Sequence, residues 1–429
     1  MRFLPFTDLL SNIVDNRGRT CPVAESGIPL IATNCVKNCG LFPTFEKVRY
    51  VDENTYKTWF RGHPKPGDLV FVTKGSPGQV CLVPDPVPFC IAQDMVAIRA
   101  NPDVVYPNYL FAALRSPDVQ KAISNMHVGT LIPHFKKGDF SKLSIPVPEM
   151  PLQQIVGDTF IELSTKIELN RRMNATLESI ARALFRDWLV DFGPTRAKME
   201  GRETYLSPDL WSLFPDRLDS EGKPEGWQQK PLTAFFSIIG GGTPKTSNSA
   251  FWNGNIPWFS VTDTPAPGSV FVTDTEKTIT EAGLNGSSAR MICKGTTIIS
   301  ARGTVGNLAV AGRDMTFNQS CYGLKAAAPV GDYATYLIAQ NMVNQLKSMA
   351  HGSVFSTITR QTFESLSLPM PTPDLLSAFE DTISPLFERI LANVEESRTL
   401  ALTRDLLLPR LMSGELRVDE AERLASKVA

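Results

Sequence analysis

Two long stretches of the chain carry apolar residues at alternating intervals of four and three. In the first, positions 156, 160, 163, 167, 170, 174, 177, 181, 184 and 188 read Val, Phe, Leu, Ile, Asn, Asn, Leu, Ala, Leu and Trp. In the second, positions 379, 383, 386, 390, 393, 397, 400, 404, 407 and 411 read Phe, Ile, Leu, Ile, Asn, Ser, Leu, Arg, Leu and Leu. That spacing places each set on one stripe of an α-helix and forms a heptad seam. Both seams are interrupted near their middles, by Asn170 and Asn393. A polar residue at such a position costs stability and fixes register. Antiparallel pairing of the two helices would bring these asparagines face to face. Docking of each helix on its own domain is the ordinary alternative, but isolated seams of this length need cover, which mutual pairing provides.

Outside the helices, short β-branched runs are punctuated by Gly and Pro, the pattern of strands and turns. Much of this pattern occurs twice. "GDLVFVTKGSPGQV" (67–80) lies over "GTTIISARGTVGNL" (295–308) with three coincident glycines, and Lys74 falls on Arg302, 228 residues later. "PFTDLLSNI" (5–13) matches "PLTAFFSII" (231–239), and "GIPLIAT" (27–33) matches "NIPWFSV" (255–261). "IAQDMVAIRA" (91–100) matches "FNQSCYGLKA" (317–326), with Gln93 on Gln319. "LSIPVP" (143–148) matches "LSLPMP" (366–371) in four of six residues, at an offset that has drifted only to 223. The Pro-x-Pro end of each half disfavours helix just before it, so a long helix starts soon after.

The predicted fold is therefore α+β with a pseudo-twofold internal repeat: two similar mixed α/β domains separated by an antiparallel two-helix coiled coil. The first domain is expected over 1–150, the first long helix over 151–190, an irregular connector over 191–226 and the second domain over 227–371. The second long helix follows over 372–415, with a C-terminal tail over 416–429. A helix of this length spans about 57 Å, more than one DNA turn of about 34 Å, so the helices would hold the two domains apart as a spacer.

At 429 residues, 42% hydrophobic and 20% charged, the chain has room for two or three cores. Its formal net charge of −1 gives no global positive field, so any nucleic-acid contact must rest on a local basic face. The seven cysteines and four histidines show no zinc spacing and read as reduced thiols of a cytoplasmic protein, with no segment apolar enough to span a membrane. Neither G-x-G-x-x-G nor a Walker loop is present. In "GGGTPKTS" (240–247) Pro244 stands where a Walker loop needs glycine, so a turn is expected, its Thr243, Lys245 and amides able to touch a backbone phosphate. Asp216, Glu221 and Lys223 follow the order of a nuclease core, but they are too tightly spaced and lie in the connector. No catalytic, cofactor or metal residues are assigned.

"GWQQKPLTAFFSIIGGGTPKTSNSAFWNGNIPWFSVTD" (226–263) resembles the opening of a target-recognition domain in the specificity (S) subunits of type I restriction–modification systems. "ARGTVGN", "FNQSCYGL", "LPMP", "RDLLLPRLMSGEL" and "LESIARALFRDWLVDFGP" (177–194) are similar to that family too. The resemblance implies a non-catalytic subunit whose two target-recognition domains each read half of a bipartite double-stranded DNA site. It also implies two methyltransferase (M) subunits docked on the helices, with restriction (R) subunits joining them. S-adenosylmethionine, ATP and Mg would then sit on the partners and none on this chain. The first half departs from the pattern, reading "IVDNRGRT" (13–20) where the second has "GGTP".

Base reading needs Arg, Lys, Asn or Gln on the domain face, and backbone holding needs cations and turn amides. The DNA-binding candidates in the first half are Asn34, Lys37, Lys74, Gln93, His134, Lys136 and Lys137. In the second half they are Thr243, Lys245, Arg302, Asn318, Gln319, Thr357, Thr359 and Arg360. The competing readings are a scaffold holding two protein-binding domains, and an enzyme with an unrecognised active site.

Overall fold

The computed structural model describes residues 2–16, 18, 20–126, 133–266, 268–351, 357–413 and 415. The expected tail, 416–429, lies outside the described residues, as do Arg17 and Arg19 of the "IVDNRGRT" stretch. The chain forms two compact units, one from residues up to Leu169 with those from Ser397 onward, the other from Asn170–Glu396. Each unit therefore contains one globular domain and part of both long helices.

In the first unit the strands Leu10–Val14, Met95–Ala100, Leu69–Val72 and Val80–Leu82 lie in that order in an antiparallel sheet. Arg49–Val51, Ile28–Ile31 and Cys90–Ile91 form a second sheet, the last pair parallel. Arg2–Pro5 pairs with Ser144–Val147 and closes the domain at the foot of the first long helix. The second unit repeats this plan. Phe236–Gly240, Cys321–Ala326, Thr297–Ser300 and Leu308–Ala311 form the main sheet, Lys277–Ile279, Trp252–Phe259 and Thr316–Phe317 the second, and Gln228–Pro231 with Ser367–Met370 the closing pair. An added edge strand, Phe271–Val272, runs parallel to Leu308–Ala311. The central strands, "LVFV" and "TIIS", are buried at every position because both faces are covered.

Helices pack behind the main sheets, and here the units differ. The second has one helix, Asp332–His351, where the first has two, Pro107–Arg115 and Pro117–Met126. Pro117 has no amide donor and pushes Ser116 into an extended conformation (ψ 145°), so the helix breaks there. The helix start is also fixed differently. In the first unit Gln153 Oε1 accepts from Tyr106 N at 2.8 Å, and in the second Glu380 accepts from Tyr333 N and Ala334 N.

The long helices span Met150–Leu189 and Pro373–Ser413. None of the twenty seam positions is exposed, although outside the seam both helices carry exposed apolar residues, Ile155, Leu169 and Ile180 in the first and Leu402 and Leu406 in the second. Within the first unit Arg404 Nη1 donates to Ser164 Oγ (3.3 Å), and its guanidinium lies 5.4 Å from the Phe160 ring. Within the second, Asn393 Nδ2 donates to Asn174 Oδ1 (2.8 Å) and Asn170 Nδ2 to Glu396 Oε2 (2.7 Å), while Phe379 packs on Phe185 and Trp188. Asn170 and Asn393 thus sit side by side, with Asn170 Nδ2 3.5 Å from the Asn393 carbonyl, but each side chain bonds a different neighbour. The polar layer holds four residues rather than an asparagine pair.

The connector is more ordered than its Pro- and Gly-rich composition suggests. It contains the helices Gly193–Glu200 and Pro208–Ser212, the second capped by Ser207. Trp188 Nε1 donates to Tyr205 Oη, which in turn donates to Asp187, and this chain of bonds holds the connector to the first long helix. The nuclease-like trio is a local salt-bridged turn, in which Lys223 bonds Asp219 and Glu221 while Asp216 pairs with Lys198.

Candidate nucleic-acid interface

The repeated glycines mark a repeated backbone frame. All six, Gly67, Gly75 and Gly78 with Gly295, Gly303 and Gly306, have positive φ, a region that side-chain-bearing residues rarely adopt. The hydrogen bonds around them match pair by pair. Thr73 N and Lys74 N donate to Asp94 O, as Ala301 N and Arg302 N do to Ser320 O. Gly78 N reaches Val72 O, as Gly306 N reaches Ser300 O, and Phe135 N reaches Thr73 O, as Ile358 N reaches Ala301 O. The same skeleton therefore holds Lys74 and Arg302 in corresponding places with different surroundings.

In the second unit this frame gathers the candidate residues from four loops. Asn318 N donates to Phe259 O, and Asn318 Oδ1 accepts from Ser320 N, which fixes the 318–320 turn beside Arg302. Thr243 Oγ1 donates to Gln319 Oε1, joining the 241–245 loop to that turn. Thr357 and Thr359 flank Ile358, whose amide is bonded to the Arg302 loop. The glycines of "GGGTP" permit close approach, since a Cβ on Gly241 would lie 2.1 Å from Asn318 O and one on Gly242 2.3 Å from the Ser288 backbone. Two tryptophans hold the loop from beneath, Trp258 Nε1 donating to Gly242 O (2.9 Å) and Trp252 Nε1 to Lys245 O (3.3 Å). These anchors escape a search for DNA-contacting residue types; their only sequence signal is the aromatic pair in "FWNGNIPWF".

The first unit builds its face from the corresponding loops. Lys74 and His134 form an isolated antiparallel bridge, Lys136 and Lys137 follow directly, and Gln93 is exposed beside Asp94. Thr33 Oγ1 lies 3.9 Å from where a Cβ on Gly75 would be, which brings the Asn34 and Lys37 segment to the same edge. In the second unit Gly242 N satisfies Phe317 O. The first unit, lacking those glycines, uses a side chain: buried Asn16 donates to Ile91 O (3.0 Å) and to Gly62 O (2.9 Å), and accepts from Arg61 N. Asn16 therefore does in the first unit what the Gly242 amide does in the second.

The two faces differ in how their cations are used. In the first unit Lys74 Nζ lies 3.9 Å from Asp94, Lys37 Nζ 3.5 Å from Glu46 and Lys137 Nζ 3.9 Å from Asp15. Asn34 donates its amide to Glu46 O. The Lys142 ammonium, with Lys136 and His134 behind it, holds the Asp139 carboxyl below its usual range. In the second unit the side chains of Arg302 and Lys245 are exposed and, among the described residues, make no ion pair, while Arg360 donates to Ile238 O (3.0 Å). Among the described residues no cluster of His, Cys, Asp and Glu could hold a metal ion, and no helix is long and apolar enough to cross a membrane.

A family model described as type I restriction modification DNA specificity domain matches residues 26–179 and again residues 224–384, together more than half of the chain. The chain belongs to this family. It carries two copies of the specificity domain, matching the two halves of the internal repeat. The type I restriction enzyme HindI specificity subunit of Haemophilus influenzae is 28% identical over 402 residues, covering 82% of this chain and 87% of its own. The MjaIX specificity subunit of Methanocaldococcus jannaschii is 24% identical over 334 residues, covering 74% and 71%. The crystal structure of the S subunit of a type I restriction–modification system from M. genitalium superposes with a TM-score of 0.54 at 15% identity, covering 96% and 95%, and shows the shared fold.

Proposed function

We propose that each domain of this specificity subunit reads one half of a bipartite double-stranded DNA target, and that the two long helices pair as an antiparallel coiled coil that spaces the readers. One observation carries this reading. Two identical hydrogen-bonded loop frames present different side chains at matching positions, Lys74 against Arg302 and Asp94 against Ser320. A shared skeleton with divergent tips suits two readers of different words. The convergence of Thr243, Gln319, Asn318 and Arg302 supplies both phosphate-holding and base-reading chemistry on one edge. Gln319 and Asn318 fit bidentate contact with adenine, and Arg302 fits guanine or a phosphate.

In this reading the subunit is non-catalytic, works in the cytoplasm, and docks two methyltransferase subunits and the restriction subunits through the helices. S-adenosylmethionine, ATP and Mg are held by those partners. The seam contacts from Phe160 with Arg404 through Asn174 with Asn393 to Phe185 with Phe379 support the pairing, because positions rise along one helix as they fall along the other. The test is a map of methylated adenines in a host genome with and without this gene. The expected result is a single bipartite motif that vanishes on deletion. An unchanged map would overturn the reading.

A further inference from the structure

The first unit contains a cavity of about 220 Å³ lined by two arginines, Arg115 and Arg404, with Asn38, Ser116, Phe160 and Asp405. Arg115 spends most of its guanidinium on the protein. Nε and Nη2 donate to Val80 O, and Nη2 also reaches the carbonyls of Gly40 and Lys37. Its Nη1 is buried with no hydrogen-bond partner. Arg404 is buried too and uses two of its five donors, one on Asp405 (2.8 Å) and one on Ser164 (3.3 Å). Both guanidiniums lie against the same ring, 5.8 and 5.4 Å from the centre of Phe160.

Two cations therefore share a partly enclosed space with one carboxylate, and that carboxylate, on Asp405, is mostly solvent-exposed. An excess of buried positive charge is costly unless an anion offsets it. We propose that this cavity is a binding site for a small oxyanion of the phosphate or sulfate class, held by the remaining donors of Arg404 and by the positive charge of Arg115. The volume is below that of pockets for drug-sized molecules and suits a small anion. Guanidinium pairs suit such oxyanions because their planar forks match two oxygens at once. The Arg115 guanidinium is pushed down to about 10 by burial and by the nearby Arg404 charge, which a bound anion would offset. The occupant would join the Arg115 helix of the first domain to the second long helix through charge rather than apolar packing.

The test titrates the full chain in a chloride buffer with inorganic phosphate, sulfate and AMP, read by calorimetry and by phosphorus NMR line broadening. Phosphate should saturate one site with millimolar or better affinity, weakened at least tenfold in Arg404→Gln and unchanged in a substitution of the exposed connector residue, Arg217→Gln. If Arg404→Gln does not fold, wild-type protein serves: phosphate should slow phenylglyoxal labelling of Arg404 but not of Arg217, read by peptide mass spectrometry. Binding of phosphate without AMP would identify a free ion, and competition by AMP would identify a nucleotide phosphate; either upholds the oxyanion site. No saturable binding up to tens of millimolar, or equal protection of Arg217 and Arg404, would mean that water alone fills the cavity.

Discussion

Arg302 and Lys74 occupy one position of the repeated frame but differ in what they must give up to meet DNA. Arg302 is exposed and has no ion-pair partner among the described residues, whereas Lys74 shares its charge with Asp94 at 3.9 Å, both side chains of that pair being nearly half exposed. A surface pair of that kind is worth about 0.2–1 kcal/mol, so engaging a phosphate costs Lys74 up to about fivefold in affinity that Arg302 does not lose. Each phosphate contact contributes about 0.9 to the slope of log affinity against log salt, or about 3.5-fold between 50 and 200 mM salt. Replacing Arg302 by Ala should therefore lower the slope by about 0.9, and Lys74→Ala should lower it by less. Asp94→Asn, tolerated at the left-handed backbone there (φ 66°), should tighten binding by up to about fivefold as it frees Lys74. The assay is fluorescence anisotropy of the assembled complex on its target duplex over that salt range. An unchanged slope in Arg302→Ala, or a larger loss in Lys74→Ala, would refute the reasoning.

Other expectations follow from the packing. Asn393→Ala leaves the buried Asn174 Oδ1 without its donor and should cost about 1–3 kcal/mol by urea unfolding, while Leu at both positions should recover much of the loss. Gly303→Ala meets only its positive φ (74°), with open space around the new methyl, and should cost about 1–2 kcal/mol. Gly242→Ala drives a methyl into the Ser288 backbone and should cost upward of about 3 kcal/mol and abolish DNA binding, both read on the same titrations. Burial holds the His63 imidazole below its usual range, so the unfolded chain takes up a proton first as pH falls. The stability this residue contributes is complete above about pH 6.5 and is lost as pH drops through the lowered folded value. His63→Gln should flatten that part of the melting-temperature profile between about pH 8 and pH 5.

Periodicity and duplication are legible in spacing alone, and they show the two-domain repeat and the two long helices. The seam positions from Val156 to Trp188 and from Phe379 to Leu411 needed only spacing, and the six positive-φ glycines announced the repeated frame by coincidence in the sequence. What escaped was set by tertiary choice. Nothing in "IVDNRGRT" says that the Asn16 side chain satisfies Ile91 O where a glycine amide does so in the other half. Nor does the spacing show that Asn170 selects Glu396 and Asn393 selects Asn174 rather than each other, since side-chain rotamers decide that. The connector is more ordered than its composition implies because its Pro and Gly content hides helix starts at Gly193 and Pro208, where proline in the first turn is favourable. Among the candidate residues, type alone could not separate committed cations such as Lys37 and Lys137 from open ones such as Arg302.

The central claim is that each domain reads its own word of DNA independently. Exchanging residues 227–371 for the corresponding domain of a relative with another specificity, then mapping methylated adenines in the host, tests it most directly. One half of the bipartite motif should change while the other half and the spacer between them stay as they were. A motif altered in both halves, or in neither, would contradict the account.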